Sequence, residues 1–125
     1  MPQILVVEDD PVASLIYSRL LEHTGYSVMV ASGGLAAIEL LETGEIHAVV
    51  TDLLMPMMDG HELCDRIRAD ERWAELPIFV VTGVAEPEAL AWLDDYPNIQ
   101  LLEKPIKVAN LIEALDAHFS TDRPA

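Results

Sequence analysis

The sequence is poor in cysteine and in positive charge. Cys64 is the single cysteine among 125 residues, which excludes an internal disulfide and argues against a cysteine-based metal site. The chain has 7 basic and 22 acidic residues, a formal net charge of −15. Such a chain repels phosphate backbones and anionic lipids, so we expect no direct binding to nucleic acid or membrane. The cysteine usage fits a reducing compartment, and we expect a cytoplasmic protein.

Long apolar runs, repeats and low-complexity segments are also missing. No run approaches the roughly 20 apolar residues of a membrane-spanning helix, and the first residues do not resemble a secretory signal. Apolar residues nevertheless make up 51% of the chain, which argues against disorder and for a buried core. The length fits one domain, which we place at residues 1–120, with a frayed tail at 121–125.

Five short apolar segments alternate with five helical patterns. The first, third and fourth segments are continuous and rich in valine and isoleucine, as buried parallel strands are. The predicted strands cover 4–7, 28–31, 48–51, 78–81 and 99–102. Strict alternation predicts an α/β fold with a parallel sheet, right-handed crossovers and helices on both faces. We therefore expect a flavodoxin-like (βα)5 domain with strand order 2-1-3-4-5.

Apolar spacing and capping residues locate the helices. Asp10-Pro11 and Asp59-Gly60 predict the starts of the first and third helices, and Gly25 predicts the end of the first. The second and fourth are expected at about 35–41 and 86–95. Apolar residues at helical spacing line one face of three of these helices. These stripes are Val12, Leu15, Ile16 and Leu20 in the first helix, Leu63 and Ile67 in the third, and Val108, Leu111, Ile112, Leu115 and Phe119 in the fifth.

Polar side chains follow four of the predicted strands. They are Glu8 and Asp9, Asp52, Thr82 and Lys104. Ligands bind at the carboxyl ends of the strands in open α/β sheets, so we expect these groups to converge. Three adjacent carboxylates repel one another unless a hard cation such as Mg²⁺ compensates. Lysine and threonine side chains can hold phosphoryl oxygens, so the set predicts phosphoryl transfer onto Asp52.

At these residues the sequence resembles the receiver domains of two-component response regulators. The matching stretches are Ile4-Leu5-Val6-Val7-Glu8-Asp9-Asp10, Asp52-Leu53-Leu54-Met55-Pro56-Met57-Met58-Asp59-Gly60, Val81-Thr82-Gly83 and Glu103-Lys104-Pro105. The resemblance implies that Asp52 is the phosphoacceptor and that Thr82 and Lys104 bind the phosphoryl group. It implies a Mg²⁺ ion held by Glu8, Asp9, Asp52 and the Leu54 carbonyl. It also implies a phosphohistidine donor, either a sensor histidine kinase or a histidine phosphotransfer protein, and an output protein or effector domain that reads the change.

Several positions depart from the family pattern. Leu101 stands where an aromatic residue often partners the threonine, and Gly83 stands where alanine is common. Asp95-Tyr96-Pro97-Asn98 replaces a usual Gly-Ala pair. Leu54 and Val84 are both apolar, from which we infer a long-lived phosphorylated state. The resemblance also makes Lys104–Pro105 a candidate cis peptide.

Two other functions compete with the phosphoacceptor switch. A small magnesium phosphohydrolase with an aspartyl-phosphate intermediate would need an acid–base aspartate at position 54, where the chain has leucine. A phosphate-independent binding module would keep the fold without the chemistry, but all the acceptor-site residues are present. We therefore expect a signalling switch that assists its own phosphorylation and dephosphorylation, not a turnover enzyme. Among the four histidines only His61 lies near the predicted site, and Trp92 is a candidate for partner contact.

Overall fold

Five parallel strands form one sheet in the order β2-β1-β3-β4-β5. The strands are β1 (Gln3–Val7), β2 (Ser27–Ala31), β3 (Ala48–Asp52), β4 (Ile78–Thr82) and β5 (Ile99–Glu103). This architecture was obtained as a computed structural model, which describes residues 2–83, 90–96, 98–104 and 108–120, with only the backbone at 108 and 120. The predicted flavodoxin-like fold class and strand order are confirmed. The predicted tail at 121–125 and Pro105 of the candidate cis peptide lie outside the described residues.

Each face of the sheet packs on its own apolar cluster. Successive strand residues point to opposite faces, so Leu5 and Val49 join one cluster while Ile4 and Val50 join the other. The central strands β3 and β4 are buried along their full length, whereas β2 and β5 are only partly buried. The expected edge and centre positions of the strands are thus confirmed.

Four α-helices are described, two on each side of the sheet. They are α1 (Pro11–Thr24), α2 (Gly34–Thr43), α3 (Gly60–Ala69) and α4 (Val108–Ser120), and short 3-10 helices cover Glu71–Trp73 and Ala91–Asp95. Residues of α2 and α3 join the cluster on one face, and residues of α1 and α4 join the other. The helix predicted at 86–95 is only partly described, because 84–89 lie outside the described residues and Ala91–Asp95 is a 3-10 helix. None of the described helices is long and apolar enough to cross a bilayer.

The predicted helix caps are present. Asp10 precedes α1 and accepts a hydrogen bond from the Val12 N–H at 3.0 Å. Asp59 caps α3 by accepting from the Glu62 N–H at 2.8 Å. Gly25 ends α1 with a φ of 110°, a left-handed conformation in which a side chain would be strained.

The residues predicted to line one face of α1 do so, but that face is not the buried one. Val12, Leu15, Ile16 and Leu20 do share one face, but they are 64%, 53%, 49% and 37% exposed. The buried face is formed instead by Ser14, Tyr17, Ser18 and Leu21. The two serines can be buried because their hydroxyls donate to the Pro11 and Leu15 carbonyls within the same helix. Helix α1 therefore presents an apolar stripe to solvent, which we call the α1 stripe.

The stripes predicted in α3 and α4 do face the core. The fully buried side chains are Leu63 and Ile67 of α3 and Leu111 and Leu115 of α4. Two further residues of α4, Ile112 and Phe119, are partly buried against the cluster that contains Leu111 and Leu115. The side chain of Val108 is outside the described part of the chain. Of the three predicted stripes, the one on α1 is therefore the one that faces solvent.

Candidate functional site

The carboxyl ends of the strands bring the predicted polar residues to one edge of the sheet. Parallel pairing aligns Val7 with Thr51 and Asp52 with Val81, so the residues that end or follow β1, β3 and β4 are neighbours. The Lys104 N–H donates to the Thr82 carbonyl at 2.8 Å, which fixes the start of the loop after β5 beside the end of β4. The sheet register alone thus places these residues at one edge of the sheet.

Three carboxylates form the centre of the site. One oxygen from each of Glu8, Asp9 and Asp52 lies within 4.8 Å of the others. Glu8 and Asp52 are buried, at 6% and 8% exposure, while Asp9 is exposed. Oxygen ligands with several negative charges and one open side suit a hard divalent cation that keeps part of its water shell. The predicted convergence of these three acids is confirmed, and their chemistry fits magnesium.

Burial makes Glu8 an unusual acid. Desolvation is the main reason that the pKa of Glu8 is raised to about 7 from its ordinary value of 4.5. The negative charge of Asp52 and a hydrogen bond between the two side chains raise it further, while the Asp10 N–H and Lys104 oppose the shift. Without a cation, Glu8 is therefore about half protonated near pH 7, where an ordinary glutamate is ionised. A bound cation would take the place of this proton and offset the repulsion among the three carboxylates.

Lys104 supplies the positive charge of the site. Its Nζ donates to Asp52 Oδ2 at 2.8 Å. Partial burial works against the charged amine, but the hydrogen bond to Asp52 and the charges of Asp52 and Glu8 outweigh it, so the pKa of Lys104 is raised. The ammonium group is therefore charged and directed at the carboxylate that the sequence predicts as phosphoacceptor.

The backbone around Asp52 is held tightly. The Thr51 hydroxyl donates to the Asp52 carbonyl at 2.9 Å, and the Gly60 N–H donates to the Leu53 carbonyl at 2.7 Å. A Cβ at Gly60 would lie 2.6 Å from the Asp52 carbonyl oxygen, so this close approach requires glycine. The start of α3 thus rests directly on the main chain of Asp52.

Three further residues were predicted to contact or flank the site, namely Thr82, Leu54 and Val84. Thr82 is buried at the end of β4, the strand that pairs with β3, and its phosphoryl contact stays a prediction. Leu54 is 65% exposed beside the acids, and its N–H donates to Asp52 Oδ1 at 3.4 Å. Val84 lies outside the described residues, so the inferred long-lived phosphorylated state stays a prediction.

Sequence reasoning missed two parts of the site's surroundings. Tyr17 is buried within reach of the charges of Lys104, Glu8 and Asp52, and its pKa is raised mainly by burial. The sequence signal for Tyr17 was hidden because the apolar stripe pointed to the opposite face of α1. His61 stacks on Trp92, with ring centroids 4.1 Å apart, a contact across 31 positions that no local pattern indicates.

A family model matches most of the chain. Residues 4–116 match the model of the response regulator receiver domain, and the chain belongs to this family. Members are signal-transduction modules of two-component systems. The expected family is thus confirmed on sequence as well as on fold.

Individual relatives agree with this assignment. The chain is 35% identical to chemotaxis protein CheY-3 of Vibrio cholerae over 94% of its own length and 91% of that protein. It is 32% identical to the DNA-binding dual master transcriptional regulator RpaA of Synechocystis over 94% of this chain and 48% of that relative. The chain thus spans about half of RpaA but nearly all of CheY-3.

Solved structures give the same result. The signal receiver domain of a histidine kinase from Syntrophus aciditrophicus superposes with a TM-score of 0.89 at 25% identity, covering 100% of this chain and 95% of that one. The receiver domain of sensor histidine kinase PA1611 from Pseudomonas aeruginosa has a TM-score of 0.81 at 30% identity, covering 93% and 95%. That structure has a magnesium ion coordinated in its active-site cleft.

Proposed function

We propose that the chain is a phosphoaccepting receiver domain in which Asp52 takes a phosphoryl group from a phosphohistidine donor with the help of Mg²⁺. The observation that carries this proposal is the 2.8 Å contact from Lys104 to Asp52 inside a cluster of three carboxylates. The phosphate-independent module is the weaker alternative, because a mere binding fold has no need to bury Glu8 and Asp52 side by side.

Each residue has a role that follows from its position. An Asp52 carboxylate oxygen forms the bond to phosphorus as the phosphorus–nitrogen bond to the donor imidazole breaks, and the imidazole nitrogen keeps the electron pair and takes a proton. Lys104 moves from Asp52 onto the transferred phosphoryl oxygens, and the Thr82 hydroxyl donates to them. Glu8, Asp9, Asp52 and the Leu54 carbonyl would hold Mg²⁺. An ion held there would supply positive charge against the charge that gathers on the phosphoryl oxygens.

A small phosphodonor tests the acceptor chemistry directly. We expect the intact mass of the protein, incubated with acetyl phosphate and Mg²⁺, to rise by one phosphoryl group, because the acids and Lys104 position the acceptor without a protein donor. The same incubation with EDTA is the control and should leave the mass unchanged. No gain together with a failure to bind Mg²⁺ would favour the phosphate-independent module.

The α1 stripe supports protein docking next to the acceptor. It begins at Val12, three positions after Asp9, and exposes four large apolar side chains on one helical face. Apolar groups clustered this way on a surface mark contact sites for proteins. We propose that the phosphohistidine protein docks on the α1 stripe, since it must bring its imidazole to Asp52. The output partner, whether a separate protein or an effector domain, reads the phosphorylated state.

Charge placed in the α1 stripe should separate docking from chemistry. We expect Ile16→Glu to lower the rate of phosphoryl transfer from a phosphohistidine protein about tenfold or more, since a charge at the centre of an apolar contact is desolvated. Phosphorylation by phosphoramidate, a small phosphorus–nitrogen donor, should not change.

The matched control is Leu35→Glu on α2. This residue is 54% exposed, against 49% for Ile16, and α2 packs on the other face of the sheet. Both variants should keep the stability of the native protein, as exposed positions usually do. Equal transfer rates in the two variants and the native protein would rule out docking on the α1 stripe.

A further inference from the structure

The hydroxyl of Tyr17 is a polar group beside the acceptor site that the phosphoryl chemistry does not use. The Tyr17 side chain is 9% exposed and lies on the buried face of α1. Its ring belongs to the apolar cluster that α1 and α4 share with the sheet. A buried tyrosine hydroxyl usually has a hydrogen-bond partner, so one without a partner marks a place where another group can bind.

The Tyr17 hydroxyl forms no hydrogen bond with any residue that the structure describes. None of the described side chains has a polar atom that is both fully buried and unpartnered, so the Tyr17 oxygen keeps contact with solvent. Tyr26, the other tyrosine of the same cluster, differs because its hydroxyl donates to Asp116. Tyr17 therefore offers an uncommitted donor and acceptor.

The sheet places the acceptor site on the same face as Tyr17. Three strands each carry a residue that joins or packs on the cluster of Tyr17, two positions before a residue of the site. The pairs are Val6 and Glu8 after β1, Val50 and Asp52 in β3, and Leu102 and Lys104 after β5. The N–H groups of Glu8 and Lys104 still bond to the neighbouring strands, so the alternation of side chains holds to these positions. Residues two positions apart share a face, and the site therefore continues the face that Tyr17 covers.

Helix α1 directs the Tyr17 side chain back toward the site. The helix begins at Pro11, two positions after Asp9, and Tyr17 lies six residues further on. Six residues correspond to about 9 Å along the axis at the usual rise of an α-helix. Side chains of a helix point toward its N-terminus, and long aromatic side chains do so most clearly. The phenol of Tyr17 therefore extends toward the end of α1 at which the acids lie.

The charge of Lys104 acts on this phenol more than any other charge does. Burial raises the pKa of Tyr17, the positive charge of Lys104 lowers it, and the negative charges of Glu8 and Asp52 raise it further. An ammonium group has three N–H donors, and the side chain of Lys104 uses one of them on Asp52 Oδ2. Lys104 thus has donors to spare on the same face as the uncommitted Tyr17 oxygen.

The movement of Lys104 creates a use for this oxygen. In the proposed chemistry the ammonium leaves Asp52 and contacts the phosphoryl oxygens. Lysine is a point charge on a flexible four-carbon stem, so one contact does not fix the position of its ammonium. A second acceptor would restrict the ammonium to one position and favour the arrangement in which it faces the phosphoryl group.

We propose that the Tyr17 hydroxyl accepts a hydrogen bond from the Lys104 ammonium when Asp52 carries a phosphoryl group, and so holds the ammonium against the phosphoryl oxygens. The proposal rests on the proposed phosphoacceptor function. Tyr17 is a positioning residue, because it acts through Lys104 and does not touch the phosphoryl group.

Removal of the hydroxyl alone tests the proposal. Fluoroberyllate mimics a phosphoryl group on a carboxylate, and Tyr17→Phe should lower its affinity for the Mg²⁺-loaded protein about tenfold, since a hydrogen bond to a charged group is lost. The affinity for Mg²⁺ alone should change by less than about twofold, because Tyr17 is not a ligand. Tyr26→Phe is the matched control, since it removes the same atom from the same cluster, and it should bind fluoroberyllate as the native protein does.

A double-mutant cycle isolates the action through Lys104. Lys104→Met removes the ammonium and keeps an unbranched side chain. In this background Tyr17→Phe should lower the affinity for fluoroberyllate by less than about twofold further, because the hydroxyl has lost its donor. An equal loss with and without the ammonium would overturn the proposal.

The ammonium signal of Lys104 gives a second readout. Lys104 and Lys107 are the two lysines of the chain, so their ¹⁵Nζ signals can be assigned with Lys104→Met. With Mg²⁺ and fluoroberyllate bound, Tyr17→Phe should shift the Lys104 signal and leave the Lys107 signal in place, whereas Tyr26→Phe should shift neither. A Lys104 signal that is the same in Tyr17→Phe and the native protein would count against the hydrogen bond and overturn the proposal.

The possible failures are distinguishable. A native protein that does not bind fluoroberyllate with Mg²⁺ would overturn the acceptor function, and the role of Tyr17 with it. Binding that Tyr17→Phe leaves unchanged would overturn the positioning role and leave the acceptor function intact. Equal losses in Tyr17→Phe and Tyr26→Phe would trace the effect to packing of the cluster and would also overturn the role of Tyr17.

Discussion

Replacing Asp52 with asparagine should abolish the gain of a phosphoryl group from acetyl phosphate. Asparagine has the same size, so it fits among Glu8, Asp9 and Lys104, but its amide oxygen is a poor nucleophile and forms no acyl phosphate. The loss should be complete within the detection limit of intact-mass measurement, at any time of incubation. The fold should persist, since the change removes one of three crowded carboxylates.

Asp59→Asn is the matched control for this prediction. Asp59 caps α3 a few positions beyond Asp52, and asparagine caps a helix as well as aspartate does. This variant should be phosphorylated like the native protein. A mass gain that persists in Asp52→Asn would place the acceptor elsewhere, at Glu8 or Asp9, and contradict the proposed chemistry.

Magnesium affinity should fall steeply as the pH drops below 7. Burial raises the pKa of Glu8 to about 7, and the carboxyl must lose its proton to face a cation. Below that pH the decrease in apparent affinity should approach tenfold per pH unit, which gives roughly fiftyfold between pH 7 and pH 5. Above pH 7 it should level off. Titration calorimetry at a series of pH values would measure this.

Glu8→Gln should remove this pH dependence. Its affinity for Mg²⁺ is expected to be lower but nearly constant around pH 7, while Glu103→Gln, an exposed acid next to Lys104, should keep the native profile. An unchanged slope in Glu8→Gln would show that another group carries the dependence.

The stability of the metal-free protein should also depend on the protonation of Glu8. Folded Glu8 binds its proton more tightly than the unfolded chain does, so its contribution to stability is present below about pH 4.5 and is lost as the pH rises through about 7. The free energy of unfolding that Glu8 controls should therefore fall across that window, and Mg²⁺ should restore it above pH 7.

The sheet and the centre of the site could be predicted from the sequence. Continuous apolar segments and strict alternation determine a parallel sheet, and its topology then places Glu8, Asp52 and Lys104 together. Local capping signals such as Asp10 and Asp59 determine where two helices start. These features follow from short-range patterns and from general rules of chain connection, so one sequence is sufficient.

The orientation of α1 could not be predicted in the same way. Periodicity shows that Val12, Leu15 and Ile16 share a face, but it does not show which face the sheet covers. Ser14 and Ser18 read as polar, yet both satisfy their hydroxyls inside the helix and can be buried. An exposed apolar face and a core face have the same sequence pattern, so periodicity alone does not separate them.

The contacts of His61 with Trp92 and of Asp65 with Tyr96 were beyond sequence reasoning for another reason. The partners in each contact are about 30 residues apart, and side chains at such a separation meet only through tertiary packing. His61 and Trp92 were each noticed alone, one for its closeness to the site and one as a candidate for partner contact. Their stacking links those two observations in one structural unit.

The exposed stripe on α1 also has a consequence for how copies of the chain behave in concentrated solution. Four exposed apolar side chains on one helix face favour association with other apolar surfaces, including those of identical copies. The net charge of −15 works against such encounters, because every copy repels every other. The acidity of the chain thus opposes self-association through the α1 stripe, and this protection weakens as added salt screens the charge.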